Sequence, residues 1–485
     1  MKQFKEEMIM KPQKSVAIML LTITLSLTAC GGAPETSGEN LSTTLETQEQ
    51  NSEVNDSTES QKEGHKDEDK KVEIEKFKTD ATIEETVLFD ENNVKITATD
   101  LSYTTYSIEL SLLIENNSDK DLQFISNSLA YNCNAINGYM IGAGYLNEDV
   151  AAGKKVNESI RFGIEELTLY GITEIADIQV GFDISDDDYN HIYSGPRQVK
   201  TSAADTYDYE RDTYQMSINS GILETVYDCV IDYYAEKEVF NQDGICIISE
   251  ALMTNQNGEK IILLEVENNS SEYVYGVTTD ISANGLILYN STWSVGSLNP
   301  GTRRIMDLSL SSMLDITYWD AFGISDIGEF TCSFAVEDAD YTEMVAPHEI
   351  SIDVSQSSAS LDSSGMELYN ENGIRFILKG IFEGPLEYSD DLHMLLLIEN
   401  NYSEAIRVDD IYNSLSINSF MTNYSAPRRD IPAGKYGVID VEIWRSSLEK
   451  NGIAGVDDIT EAEISFEVKD GNHKTIAEPK LTIQY

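Results

Sequence analysis

Basic residues are scarce in this chain. Lysine and arginine number 33 against 85 aspartates and glutamates, a formal net charge of −52 over 485 residues. A field of that sign repels nucleic acid and anionic headgroups, so nucleic acid is excluded as a partner. Cysteine is scarce too, with 5 residues, no C-x-x-C and no even ladder of spacings. That excludes a thiolate zinc site and a dense disulfide scaffold. The five histidines (His65, His191, His348, His393 and His473) fall at no paired spacing, and His393 sits inside an apolar strand pattern. There is no G-x-S-x-G and no glycine-rich phosphate loop. Acidic pairs are everywhere at this charge, so they carry no signal for glycoside chemistry. The expectation is a non-enzyme without catalytic residues, cofactor or metal site. Helical and strand patterns do not alternate, which argues against the α/β lobes of a solute receptor.

What is present begins at the N-terminus. Lys2, Lys5, Lys11 and Lys14 precede "SVAIMLLTITLSLTA" at 15–29. A basic start, a short apolar core and small residues at its end form an export signal. The run is short of the roughly 20 apolar residues a membrane span needs. It ends in Leu27-Thr28-Ala29-Cys30, followed by two glycines. This resembles the lipobox of bacterial lipoproteins. The resemblance implies removal of residues 1–29, a diacylglyceryl group on the Cys30 sulfur, and a chain anchored by lipid on the extracellular face of the cell membrane. Two acyl chains suffice for stable anchoring. Residues 30–80 are acidic and polar with almost no aromatics. Such a segment cannot offset its chain entropy by burial and is expected to be disordered, spanning about 40 Å.

Beyond it the chain repeats itself three times. "LFDENNV" (88–94), "VFNQDGI" (239–245) and "LYNENGI" (368–374) open the copies. "LLIENNS" (112–118), "LEVENNS" (264–270) and "LLIENNYS" (396–403) follow. Then come "INGYM" (136–140), "ANGLI" (283–287) and "INSFM" (417–421), and "AAGKK" (151–155), "NPGTR" (299–303) and "PAGKY" (432–436). "YGITEIADI" (170–178), "FGISDIGEF" (322–330) and "NGIAGVDDI" (451–459) close the series. Five words in one order, three times, define repeats at 84–203, 236–355 and 365–485, with connecting segments at 204–235 and 356–364. Within each copy apolar residues alternate, as in Ile108, Leu110, Leu112 and Ile114, the period of a half-buried strand. The asparagine-rich words read as turns, and "GITEIAD" as a short helical turn. The expected fold is all-β, three tandem β-sandwiches.

The order of these words resembles a family of immunoglobulin-like repeats of unknown function, found in surface lipoproteins of Gram-positive bacteria. It implies surface-displayed sandwiches and supplies no catalytic residues.

Smaller features complete the reading. Cys246 and Cys332 share a copy, but strand phase points Cys332 inward and Cys246 outward, against a bridge; Cys133 and Cys229 stand apart. In 204–235, Ile222, Val226, Val230 and Tyr233 suit either a helix or a strand. "DISDDDYNH" (183–191) offers Asp183, Asp186, Asp187 and Asp188 as oxygen ligands, yet its equivalents "VEDADY" (336–341) and "VKDGNHK" (468–474) read as hairpin turns. The 26 tyrosines suit strands and also recognition surfaces. Trp293, Trp319 and Trp444 lie at non-equivalent positions. The expected function is display for binding or adhesion, with a surface glycan or protein as ligand and the membrane reached through the lipid. Alternatives are a structural envelope lipoprotein or, further off, a hydrolase or a transporter-associated receptor. Aromatics recurring at equivalent places would favour binding.

Overall fold

The computed structural model describes residues 75–484, apart from 128–131, 290–292, 311–319, 325, 355–359 and 385–390. The export signal, Leu27 to Cys30, the acidic segment up to residue 74 and Trp319 lie outside the described residues. The chain from Glu75 to Tyr485 is one compact unit. It is all-β, with four short α-helices among the described residues: α1 (Ile164–Leu169), α2 (Thr213–Asn219), α3 (Ile222–Tyr227) and α4 (Arg445–Lys450).

The alternation in the sequence is the sandwich itself. Strand Ser107–Asn116 buries every second residue, and strand Glu461–Asp470 does the same with Ala462, Ile464, Phe466 and Val468. In the third copy Phe376, Leu378, Leu396 and Ile398 of one sheet join Val408, Ile464, Phe466 and Leu481 of the other in a single core. The second copy packs Ile247, Leu264, Val266 and Met306 against Ile281, Phe330, Phe334 and Ile350. Cys332 is inside that core and 1% exposed.

Each repeated word has a physical job. The opening words close two-residue hairpins with both central residues at positive φ: Asn92-Asn93, Asp243-Gly244 and Asn372-Gly373. That is the turn whose twist matches a hairpin, and only Asn, Asp and Gly adopt it readily. The "ENNS" asparagine is a buried clamp. Asn116, Asn268 and Asn400 are all 0% exposed. The Nδ2 of each donates twice: to Lys120 and Val150, to Glu272 and Leu298, and to Glu404 and Ile431 carbonyls. The Oδ1 of each accepts from the backbone two residues on. A second clamp ties the "ING" word to the "GI…I" word. Asn137, Asn284 and Asn418, each at φ +50°, donate to the carbonyls of Glu174, Asp326 and Asp458. They accept from two amides just beyond.

Two of these words also join the copies. Tyr139 pairs in parallel with Arg303, whose amide donates to the Gly138 carbonyl at 2.8 Å. Leu286 pairs in parallel with Tyr436, whose amide donates to the Gly285 carbonyl at 2.9 Å. The first and second "ING" hairpins thus add themselves to the edge strand that follows the glycine turn of the next copy. Sheets continue across both boundaries, giving one nine-stranded and one ten-stranded sheet. The fold is the expected series of tandem β-sandwiches, joined by shared sheets at both boundaries.

The two junctions are built differently. At the second, Ile377, Leu395, Leu397 and Val438 of the third copy extend the core of the second. At the first, Glu265 stands in the place of Leu397. It is buried, accepts from Ser249 Oγ at 2.7 Å and Gln215 Nε2 at 3.0 Å, and lies 3.8 Å from Arg303. Arg303 in turn holds Asp212 at 2.6 Å. Burial, with Asp212 beside it, raises the Glu265 carboxyl well above its ordinary range.

Three local readings are settled or refined, and of these the placement of the helical turn is corrected. Residues 222–227 are helical while Val230–Ala235 is a strand, paired with Ile245–Thr254 as an added member of the second sandwich. α1, α2 and α3 touch one another beside the first junction. The helix near "GITEIAD" forms one stretch earlier, as α1, because Gly171 at φ +67° ends it; in the third copy a 3₁₀ turn does fall on that word, at Val456–Asp458. Cys246 lies on the face away from the core yet is only 8% exposed, flanked by Glu238, Glu267 and Asn269. Cys229, Cys246 and Cys332 are free thiols.

Candidate binding surface

The acidic stretch at 183–191 resolves into a hairpin turn. Asp186 Oδ1 accepts from the amides of Asp188 and Asn190, and Tyr189 closes the turn onto the Asp186 carbonyl. Asp338 does the same for Asp340 and Thr342, with Tyr341 closing. Asp470 does it for Asn472 and Lys474, with His473 closing. One carboxylate is thus consumed in each turn. Asp186 is further held by Lys120, and these bonds pull its carboxyl well below the usual range. Asp183 instead meets His191 Nδ1 at 2.8 Å. Among the described residues no group of three or more His, Cys, Asp or Glu is arranged to hold a metal ion.

The geometry leaves a ring at one equivalent place in all three copies. Tyr189, Tyr341 and His473 have φ of +59°, +59° and +61°. A left-handed backbone costs a residue with a side chain roughly 1–2 kcal/mol, and glycine or asparagine is the cheaper choice. Yet Tyr189 is 85% and Tyr341 63% exposed, so neither ring recovers that cost by burial.

Around the first two turns the rings gather into a strip that crosses the first junction. His191 and Tyr193 stand two apart on one strand and stack at 5.8 Å, 9° between planes. Tyr341 stacks on Tyr275 at 5.4 Å and 14°. Tyr275 meets Tyr273 edge-on at 5.3 Å. Tyr273 reaches back into the first copy, its hydroxyl donating to the Asn132 carbonyl. The phenols of Tyr193 and Tyr275 are pushed up, first by burial and then by neighbours that include Asp183 for Tyr193 and Tyr341 for both. The junction beneath is pinned by Asn299, whose Nδ2 donates to the Cys133 carbonyl at 2.7 Å and to Gln179 at 3.2 Å.

The other candidates fare as follows. His393 is 3% exposed and paired with Asp440 at 2.9 Å, a bond that raises its pKa. Trp444 is 42% exposed at the start of α4, far in sequence from the strip. Tyrosine number alone did not single out Tyr193, Tyr275 and Tyr341. The signals available were "HIY" and "YVY", which place rings two apart on a strand, and the alignment of "DDDYN", "DADYT" and "DGNHK". Among the described residues no helix is long and apolar enough to cross a membrane.

No family model and no curated protein matches the chain. Among solved structures it is similar to red sea bream transglutaminase at 12% identity and TM-score 0.14, over 53% of this chain and 31% of that one. The chain thus spans less than a third of that enzyme's length. A structure of a 1.5-MDa bacterial ice-binding adhesin is similar at 9% identity, covering 78% of this chain and 90% of that one, with TM-score 0.13. The exo-chitosanase CsxA of Amycolatopsis orientalis is similar at 7% identity, covering 84% and 78%, with TM-score 0.17. Likenesses this distant carry no weight for function.

Proposed function

We propose that this protein is a non-catalytic, lipid-anchored receptor on the outer face of the cell membrane that binds a neutral or amino-bearing glycan on its tyrosine strip. The observation that carries the reading is the pair of stacks, His191–Tyr193 and Tyr275–Tyr341, exposed on either side of one junction. Flat rings give the apolar CH faces of a sugar a platform at little entropic cost, and phenol hydroxyls and the exposed His191, held by Asp183, supply hydrogen bonds at its rim. A net charge of −52 disfavours polyanions and favours neutral or cationic sugars. The ring repeated at the turn of each copy supports binding over spacing.

A glycan array followed by titration with the full chain tests this. Tyr193→Ala and Tyr341→Ala should each weaken binding about tenfold or more. Tyr106→Ala, at a more exposed ring elsewhere, should leave it unchanged. Binding that survives both strip variants, or no binding to any neutral or amino sugar, refutes the reading. Anchoring is tested apart: Cys30→Ser should be secreted or left unprocessed, and an acylated, membrane-held Cys30→Ser chain would rule the anchor out.

A further inference from the structure

The two internal junctions share one device, and among the described residues one copy of each half has no partner strand from another repeat. The donor half is the "ING" hairpin. At the junctions Tyr139 and Met140 are 3% and 2% exposed, and Leu286 and Ile287 are 0% and 5%. In the third copy the equivalent residues, Phe420 and Met421, are 50% and 63% exposed. The hairpin is nonetheless preset in the docking shape. Asn418 has the same φ of +50°, and Ser419 holds φ +66° where the other copies use glycine. The acceptor half is the edge strand after the glycine turn. Lys155 stands in the place of Arg303 and Tyr436. The turn before it is the same, with Gly153 at φ +68° and the Lys154 amide on the Ala151 carbonyl at 3.0 Å. Its strand, Lys154–Gly163, is the last of its sheet, and Lys155 is exposed.

One free donor end and one free acceptor end on the same chain define a heterologous contact, which propagates instead of closing in a pair. The charges agree. Lys154 and Lys155 are exposed at the acceptor, Lys155 also paired with Glu115, while Asp457 and Asp458 are exposed beside the donor hairpin. Half-buried Leu113, on the strand next to that edge and opposite Asn157, offers Phe420 an apolar seat. We propose that the 416–421 hairpin of one molecule docks in parallel on the Lys155 edge of a second copy, the Ser419 carbonyl accepting from the Lys155 amide. Thr97, Ser111 and Asn157 occupy this face where the third copy has Ile377, Leu395 and Val438. The contact is therefore weaker than the internal junctions and reversible.

Sedimentation velocity of the full chain over a concentration series tests the proposal. The parent chain should form a growing series of oligomers as concentration rises. Phe420→Asp removes the donor and Lys155→Pro removes the amide, and each alone should stay monomeric. An equal mixture of the two should form dimers and nothing larger, because one intact donor and one intact acceptor remain. Thermal melts check that both variants fold. Lys155→Glu keeps the backbone amide and should weaken association roughly tenfold by facing Asp457 and Asp458. A parent chain that is monomeric throughout, a Phe420→Asp chain that associates like the parent, or a mixture that stays monomeric would overturn the proposal.

Discussion

Asn400→Ala is the sharpest probe of how the sandwiches are held together. The side chain is fully buried and makes three hydrogen bonds: to the Glu404 carbonyl at 3.0 Å, to the Ile431 carbonyl at 2.8 Å, and from the Tyr402 amide at 2.9 Å. Truncation strands the Ile431 carbonyl in a dry setting, which costs about 1–3 kcal/mol. The Glu404 and Tyr402 groups are partly accessible, so water takes over much of their bonding, and each loses about 0.5–1 kcal/mol. The sum is about 2–5 kcal/mol. Asn418→Gly is the control. It removes the second clamp, whose bonds lie near solvent, while glycine keeps the left-handed backbone at no strain. Its expected cost is about 1 kcal/mol. Guanidinium denaturation of the full chain and both variants gives the comparison. If Asn400→Ala costs less than about 0.5 kcal/mol, or no more than Asn418→Gly, the clamp is not what closes the sandwich.

Other outcomes follow from the junctions. Glu265 is raised in the folded state, to about 8 from 4.5, by burial and then by Asp212. Its protonated form is therefore favoured by folding. The contribution is complete below about pH 4.5 and is lost as pH climbs toward 8, so melting temperature should fall across that window. Glu265→Gln keeps an oxygen for Ser249 and Gln215 and should flatten the profile; an unchanged slope would refute the assignment. At the second junction, Leu397→Ala should cost about 2–4 kcal/mol and speed proteolytic cleavage between the second and third copies. Equal cleavage rates would show that Leu397 does not join them. Raising pH through the folded pKa of His393, which Asp440 holds above 6.5, should also remove stability from the third copy. Asp440→Asn should abolish that dependence, as read by melts at pH 6 and pH 8.

The strands and the repeat were legible because alternation and recurrence are local signals. Ile108 to Ile114 declare a buried face without reference to anything distant. The asparagine words were read as turns, and they are turns. Their second role was hidden because Asn400 and Ile431, or Asn418 and Asp458, meet only once the chain has folded. The junctions were hidden for the same reason: nothing near Lys435-Tyr436 says that Gly285 lies beside it. The outward row of each first sheet did hold a clue. Ile377, Leu397 and Val438 are apolar where Thr97 and Asn157 are polar, and an apolar outward row marks a face that is covered. The tyrosine strip drew on strands from two copies, so its rings converge in space from 191–193, 273–275 and 341.

Whether the three sandwiches form one body through shared sheets is tested most directly by a distance measurement between the end copies. Nitroxide labels at Tyr106→Cys and Tyr412→Cys, both highly exposed, on a Cys229→Ser background would report it by double electron–electron resonance. A single narrow distance distribution, broadened by Leu397→Asp, is expected. A broad distribution in the parent chain, unchanged by Leu397→Asp, would contradict it.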